Sequence, residues 1–231
     1  MNDPNLRLLE AAVELLKPLL DELVFIGGCT TGLLITDPAA TGIRVTKDVD
    51  AIVELATYAE YASLSEQLRA LGLNEDHTED APTCRWRRGE LMIDVMPTDE
   101  RILGFSNQWY LPAIESAQER EISGLRAHVI TATYFLATKL AAFRGRGQDD
   151  YSGSHDLEDI IAVIDGRPEI EDEIRKASRD VRRYIASEIA RLLQVRGFVD
   201  ALPGFLLPDA GSQARYPILR ARLNALARTD A

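Results

Sequence analysis

The chain predicts an α/β (α+β) fold, a mixed sheet with flanking helices followed by a mainly helical C-terminal part, and three observations carry it. Short runs of strand character, Leu23 to Ile26, Val49 to Leu55 and Glu90 to Met96, are separated by stretches with helical periodicity. A Gly27-Gly28 pair closes the first run, where a strand would stop and the backbone turn tightly. Beyond about residue 126 the spacing of apolar residues is helical almost throughout. The expected division is therefore an α/β core over 1–125 and a helical domain over 126–231.

Taken in order, residues 5–20 form an amphipathic helix, with Leu6, Leu9, Val13, Leu16 and Leu20 recurring at three and four and Pro18 disturbing the last turn. After the glycine pair, residues 30–35 predict a short helix whose first N–H groups would face a bound phosphate. Asp48 and Asp50 open the next strand two apart, so period-two alternation puts both carboxylates on one face. Residues 58–71 are helical along Tyr61, Leu64, Leu68 and Leu71, and Gly72 ends the helix. The polar stretch 74–81 reads as a loop, and His77 within it as an exposed loop residue, with metal or catalytic duty as the alternative.

A hairpin follows, residues 83–86 and 91–96, joined through Arg87-Arg88-Gly89-Glu90. Its second arm sets Asp94 among apolar neighbours. Arg85 and Arg87 alternate with Trp86, either as a solvated strand edge or with one arginine reaching a triphosphate or an RNA backbone. The pattern weakens from Asp99 to Gly124. It returns at Ile130 as a helix spaced by Leu136, Leu140 and Phe143, with Lys139 inside it and Arg144 and Arg146 after it. Ser154 is an N-cap for the next helix, whose Asp156 and Asp159 share a face. They read as helix-start acids, as a metal pair or as partners of a lysine. The remaining helices are charged on their outer faces.

Composition narrows the functions. A net charge of -11 over 231 residues argues against broad attraction to nucleic acid or membrane, though not against a local basic rim, for which Arg85, Arg87, Arg144 and Arg146 are candidates. Two cysteines, Cys29 and Cys84, make neither a disulfide framework nor a four-ligand metal site. The start M-N-D-P-N lacks a signal-peptide pattern and no apolar run reaches membrane length, so no membrane partner is expected and the expected location is cytoplasmic.

The chemistry centres on carboxylates. If the strand bearing Asp94 lies beside the one bearing Asp48 and Asp50, three carboxylates converge. Such a cluster repels itself unless a cation relieves it, and Mg²⁺ suits an all-oxygen donor set while keeping waters for substrate phosphates.

The Gly-Gly pair, the D-x-D of Asp48 and Asp50 and the late Asp94 resemble the nucleotidyltransferase fold superfamily, more closely its AbiEii/AbiGii-type members, many of which are toxins or toxin-like. The resemblance implies an NTP donor cradled by Gly27, Gly28 and Cys29, two Mg²⁺ ions on Asp48 and Asp50 with Asp94 sharing one, and activation of the attacking hydroxyl by Asp94. It extends to K-L-x-A-x-x-x-R, matched from Lys139, and to K-D-x-x-D-I/L, matched from His155. From these, Lys139 is implied to contact nucleotide phosphate, Asp156 to belong to the active centre, and Asp159 to support it. The chain departs from the pattern at Cys29, where Ser or Thr is usual, and at His155, where Lys is usual. Implied acceptors are RNA, including a tRNA 3′ end, or a protein hydroxyl, with RNA expected slightly ahead on the strength of the four candidate rim arginines and a cognate antitoxin as a further partner. Phosphodiester hydrolysis and a non-catalytic binding module are the alternatives.

Overall fold

The computed structural model describes residues 3–40, 42–147 and 149–229. In chain order it runs through α1 (Leu6–Leu15), β1 (Leu23–Ile26), α2 (Thr31–Leu34), β2 (Asp48–Val53), α3 (Tyr58–Ala70), β3 (Asn74–Glu75), β4 (Arg85–Arg88), β5 (Leu91–Pro97), α4 (Glu100–Leu103) and α5 (Tyr110–Glu115). It continues through β6 (Gln118–Ile122), β7 (Leu125–Val129), α6 (Ala132–Arg146), α7 (His155–Gly166), α8 (Ile170–Lys176), α9 (Arg179–Gln194), α10 (Arg196–Ala201), α11 (Ala210–Gln213) and α12 (Tyr216–Leu226). The fold class is the one expected, a mixed α/β architecture with a helical C-terminal part. Among the described residues no helix is long and apolar enough to cross a membrane.

The chain makes two compact units, and neither is contiguous in sequence: one holds Pro4–Thr30 and Val45–Thr131, the other Thr31–Arg44 and the chain from Ala132 onward, with Asp3. The first unit runs on to Thr131 because β7 is a strand of its sheet.

The first unit carries a seven-stranded sheet in the order β3-β4-β5-β2-β1-β7-β6. All four residues of β1 are buried, as a strand covered on both faces must be, and β1 runs antiparallel to β2 and parallel to β7. The parallel pairing of β2 with β5 sets Asp50 directly across from Asp94. In the antiparallel hairpin of β4 and β5, Arg85 also faces Asp94.

Of three differences from the sequence-based expectation, two concern strands and one the first helix. Residues 74 and 75, read as loop, form β3 and pair with Arg87 and Trp86. The weakly patterned stretch before Gly124 contains β6, hydrogen-bonded to β7. The expected long first helix ends at Leu15, and Pro18 sits in a short 3₁₀ turn, Lys17–Leu19.

In the second unit α6 is buried along Phe135, Leu136, Leu140 and Phe143, and α7 along Leu157, Ile160, Ile161 and Ile164. The segment 31–44 belongs to these helices for identifiable reasons. The Gly166 carbonyl at the end of α7 accepts from the Thr36 and Asp37 amides at 3.0 and 2.9 Å. Arg167 donates to the Leu34 carbonyl at 2.7 Å, and Arg215 joins Asp37 to the buried Asp165.

Candidate active site

The acidic site is built on the sheet of the first unit. Asp48 and Asp50 lie on one face of β2, and Asp94 on β5 is the register partner of Asp50, so the three carboxylates lie on one face of two adjacent strands. Each is placed by a distinct neighbour.

Gly27 makes room for Asp50. A Cβ added to Gly27 would lie 1.9 Å from Asp50 Oδ2, and its φ of +72° is one that a side chain rarely adopts. The glycine is therefore required by the approach of a carboxylate, whatever else it binds. Gly28 is buried, and its carbonyl accepts from Asn5 Nδ2 at 3.5 Å. Asn5 precedes α1 but does not cap it; its Oδ1 instead accepts from the Thr46 amide at 2.9 Å. The Thr46 hydroxyl in turn donates to Asp48 Oδ1 at 2.8 Å. One buried asparagine thus ties the glycine turn to the segment that enters the D-x-D strand. Neither Asn5 nor Thr46 was legible as part of the site.

Cys29 lies within the same turn. Its side chain is buried and the thiol donates to the Ile26 carbonyl at 3.2 Å, on the strand it follows. Thr30 Oγ1 donates to the Gly27 carbonyl at 2.9 Å and holds the same turn. The second cysteine, Cys84, is buried beside Asp94 and Asp50, and burial followed by those charges pushes its thiol up to about 12, which keeps it protonated.

Arg85 is the cation of this site. Its Nε donates to Asp94 Oδ1 at 2.7 Å, and its Nη2 donates to Asp94 Oδ2 at 2.8 Å and to Asp48 Oδ2 at 2.7 Å. The arginine is not a solvated strand edge. Burial raises the pKa of Asp94 above the ordinary carboxylate value, against the lowering effect of Arg85.

The three carboxylates offer the oxygen donors that a hard divalent cation takes, and the nearby thiol stays protonated. Yet among the described residues no group of three or more His, Cys, Asp or Glu is already arranged to hold a metal ion. The carboxylates share a face, and the guanidinium of Arg85 joins two of them.

Lys139 and Asp156 lie in the second unit, in a cluster of their own. Lys139 Nζ is 3.1 Å from Asp156 Oδ1 and 2.8 Å from Asp159 Oδ2. Arg44 grips Asp159 through Nε and Nη2 at 3.0 and 3.1 Å, and Arg146 donates to both oxygens of Asp156 at 3.2 and 3.1 Å. Burial acts to raise the Asp156 pKa, but the charge of Lys139 and the bonds and charge of Arg146 outweigh it and hold the carboxyl below its ordinary value. Asp156 and Asp159 are thus lysine partners, one of the readings open from sequence. Arg44, in a loop without periodicity, gave no sequence signal. His155 is exposed, 3.5 Å from Glu158, and His77 is exposed in its loop.

The expected basic rim is answered by carboxylates. Besides Arg85 and Arg146, Arg87 lies 2.7 Å from Asp76 and Arg144 lies 2.6 Å from Glu188.

No model of a known protein family matches the chain, and no curated protein does. Solved structures do. An antigenic nucleotidyltransferase-like protein from Paracoccidioides brasiliensis superposes with a TM-score of 0.53 at 17% identity, over 94% of this chain and 92% of that one. A candidate nucleotidyltransferase from H. pylori superposes with a TM-score of 0.52 at 14% identity, over 100% and 97%. Identities this low speak to architecture and to nothing finer. The chain has a nucleotidyltransferase-like fold.

Proposed function

We propose that this protein is a nucleotidyltransferase of the AbiEii/AbiGii type that moves an NMP from an NTP to a macromolecular hydroxyl. The observation that carries the reading is the placement of Asp48, Asp50 and Asp94 on one face of two adjacent parallel strands, beside the Gly27 turn that closes on Asp50. Asp48, Asp50 and Asp94 would hold Mg²⁺. Bound there, the cation would supply charge stabilisation to the α-phosphate and the departing pyrophosphate.

The chain's own groups do the rest. Asp94, buried and with its pKa raised, is suited to accept the proton of the attacking hydroxyl on a carboxylate oxygen. The hydroxyl oxygen then bonds to the α-phosphorus, the bond from that phosphorus to the bridging oxygen breaks, and pyrophosphate leaves. The backbone of the Gly27-Gly28 turn would present N–H groups to the phosphates. The resemblance gives Lys139 to nucleotide phosphate, and we keep that as part of the proposal. Because Lys139 already answers two buried carboxylates, the NTP affinity of Lys139→Ala has meaning only beside a measurement of its stability.

The acceptor is an RNA or a protein hydroxyl. All four candidate arginines are paired with carboxylates, so RNA is not favoured over protein by a basic rim. The test is direct. Incubate the protein with Mg²⁺, each α-labelled NTP, total RNA and a protein extract, and resolve the products after separate nuclease and protease digestion. Label in either polymer, abolished by Asp94→Asn with NTP binding largely retained, is the expected result. If no polymer is labelled and the folded protein binds none of the four NTPs, the reading is wrong. Metal-dependent cutting of nucleic acid without labelling would replace it with hydrolysis.

A further inference from the structure

We propose that Arg85 is a counter-cation built into the acidic site, which competes with divalent metal for Asp48 and Asp94 and so sets the site's metal affinity. The inference rests on the reading of this face as a metal-binding one and says how that metal gains entry.

All four oxygens of the two carboxylates have donors. Asp94 Oδ1 accepts from Arg85 Nε and Asp94 Oδ2 from Arg85 Nη2. Asp48 Oδ2 accepts from the same Nη2, and Asp48 Oδ1 from the Thr46 hydroxyl. The guanidinium is held in a largely buried position by strand register, since Arg85 on β4 is the cross-strand partner of Asp94. Each oxygen keeps a further lone pair, but a cation that takes one comes up against the guanidinium charge already seated between the two carboxylates, so the two cations compete for them.

Arginine cannot vacate the site by losing its proton, because a guanidinium stays charged at any ordinary pH. It can leave only by moving, and a divalent ion supplies twice its charge. Metal binding and the Arg85 contacts are thus linked by one free energy, and whatever weakens the arginine's hold strengthens the metal's by the same factor. Geometry also predicts a graded series. Lysine keeps the charge but is a point donor without the fork that spans both carboxylates, and glutamine removes the charge altogether.

The test needs no nucleotide and no activity. Measure Mn²⁺ binding by electron paramagnetic resonance and Mg²⁺ binding by calorimetry on the full chain as wild type, Arg85→Lys and Arg85→Gln. Confirm folding by circular dichroism. The expected affinities rise in that order, with Arg85→Gln tighter than wild type by roughly 5- to 150-fold, the usual span of a coupling between two ligands. In thermal melts, Mg²⁺ should raise the midpoint of Arg85→Gln more than that of wild type, since at a given concentration the stabilisation by a ligand grows with the logarithm of that concentration over its dissociation constant. If Arg85→Gln does not fold, tighter binding by Arg85→Lys carries the same prediction.

Equal or weaker metal binding by the folded variants overturns the proposal. The two failures are distinguishable. A wild type that binds metal and transfers label, with variants of unchanged affinity, sinks the role of Arg85 alone. If neither wild type nor any variant binds Mn²⁺, the proposal falls together with the metal-dependent reading on which it rests.

Discussion

Gly27 shows how much one residue can carry. Its positive φ and the 1.9 Å approach of Asp50 to a would-be Cβ mean that alanine there must both strain the backbone and push a site carboxylate aside. The left-handed conformation alone costs roughly 1–2 kcal/mol for an L-residue. Gly27→Ala should therefore lower the urea midpoint by at least that equivalent and weaken MgNTP binding at the same time. Unchanged stability and binding would show that Asp50 does not need this space. Asp156 gives a second residue-scale outcome, with a definite sign. Its folded pKa lies below the ordinary 3.8, so its ionised form stabilises the protein above that value and the contribution is lost as pH falls through the folded pKa. Wild type should exceed Asp156→Asn in stability by a constant margin at neutral pH, shrinking once the pH drops below 3.8. A margin that persists undiminished to pH ~2 would mean that Asp156 is not held by Lys139 and Arg146 in the way described.

At the scale of the element, α3 is the clearest local design. Thr57 Oγ1 accepts from the Glu60 amide at 3.2 Å, while Glu60 Oε2 accepts from the Thr57 amide at 2.9 Å, a reciprocal cap that satisfies two donors at the helix start. Thr57→Ala should cost about 1 kcal/mol in chemical denaturation, and a loss below a few tenths would show that the cap contributes nothing. Elements of this kind were legible in the sequence, because caps and apolar periodicity act within a few residues. The hairpin of β6 and β7 was not. Four of the five residues of β6 are exposed, and Q-E-R-E-I shows no alternation to mark a buried face. The available signal was the pair Ser123-Gly124, whose φ values of 51° and 77° suit a two-residue turn between register partners Ile122 and Leu125. β3 escaped notice for a related reason, since two residues are too few for a period, and it exists because β4 offers an edge to pair with.

For the molecule as a whole, the sequence by itself determined the fold class, the strands that carry the acids and the common face of Asp48 and Asp50. Each of these depends on alternation, turn residues and propensity within a short window, and that physics is local. It also placed the carboxylates correctly relative to one another, conditional on one pairing, β2 beside β5, which the sheet order supplies. Only the tertiary structure decided which charge answers which. Arg85 meets Asp48 across 37 residues of chain, and Arg44 meets Asp159 across 115. No periodicity reaches that far. Tertiary packing alone could turn a row of arginines into partners of carboxylates, give Asn5 to Thr46 in place of its helix, aim the Cys29 thiol at a strand carbonyl, and assign residues 31–44 to helices that begin a hundred residues later. The reason is the cost of burying charge. A buried ion keeps its charge only where the fold brings an opposite one within hydrogen-bonding reach, so these partners are set by the packed chain and not by any stretch of it.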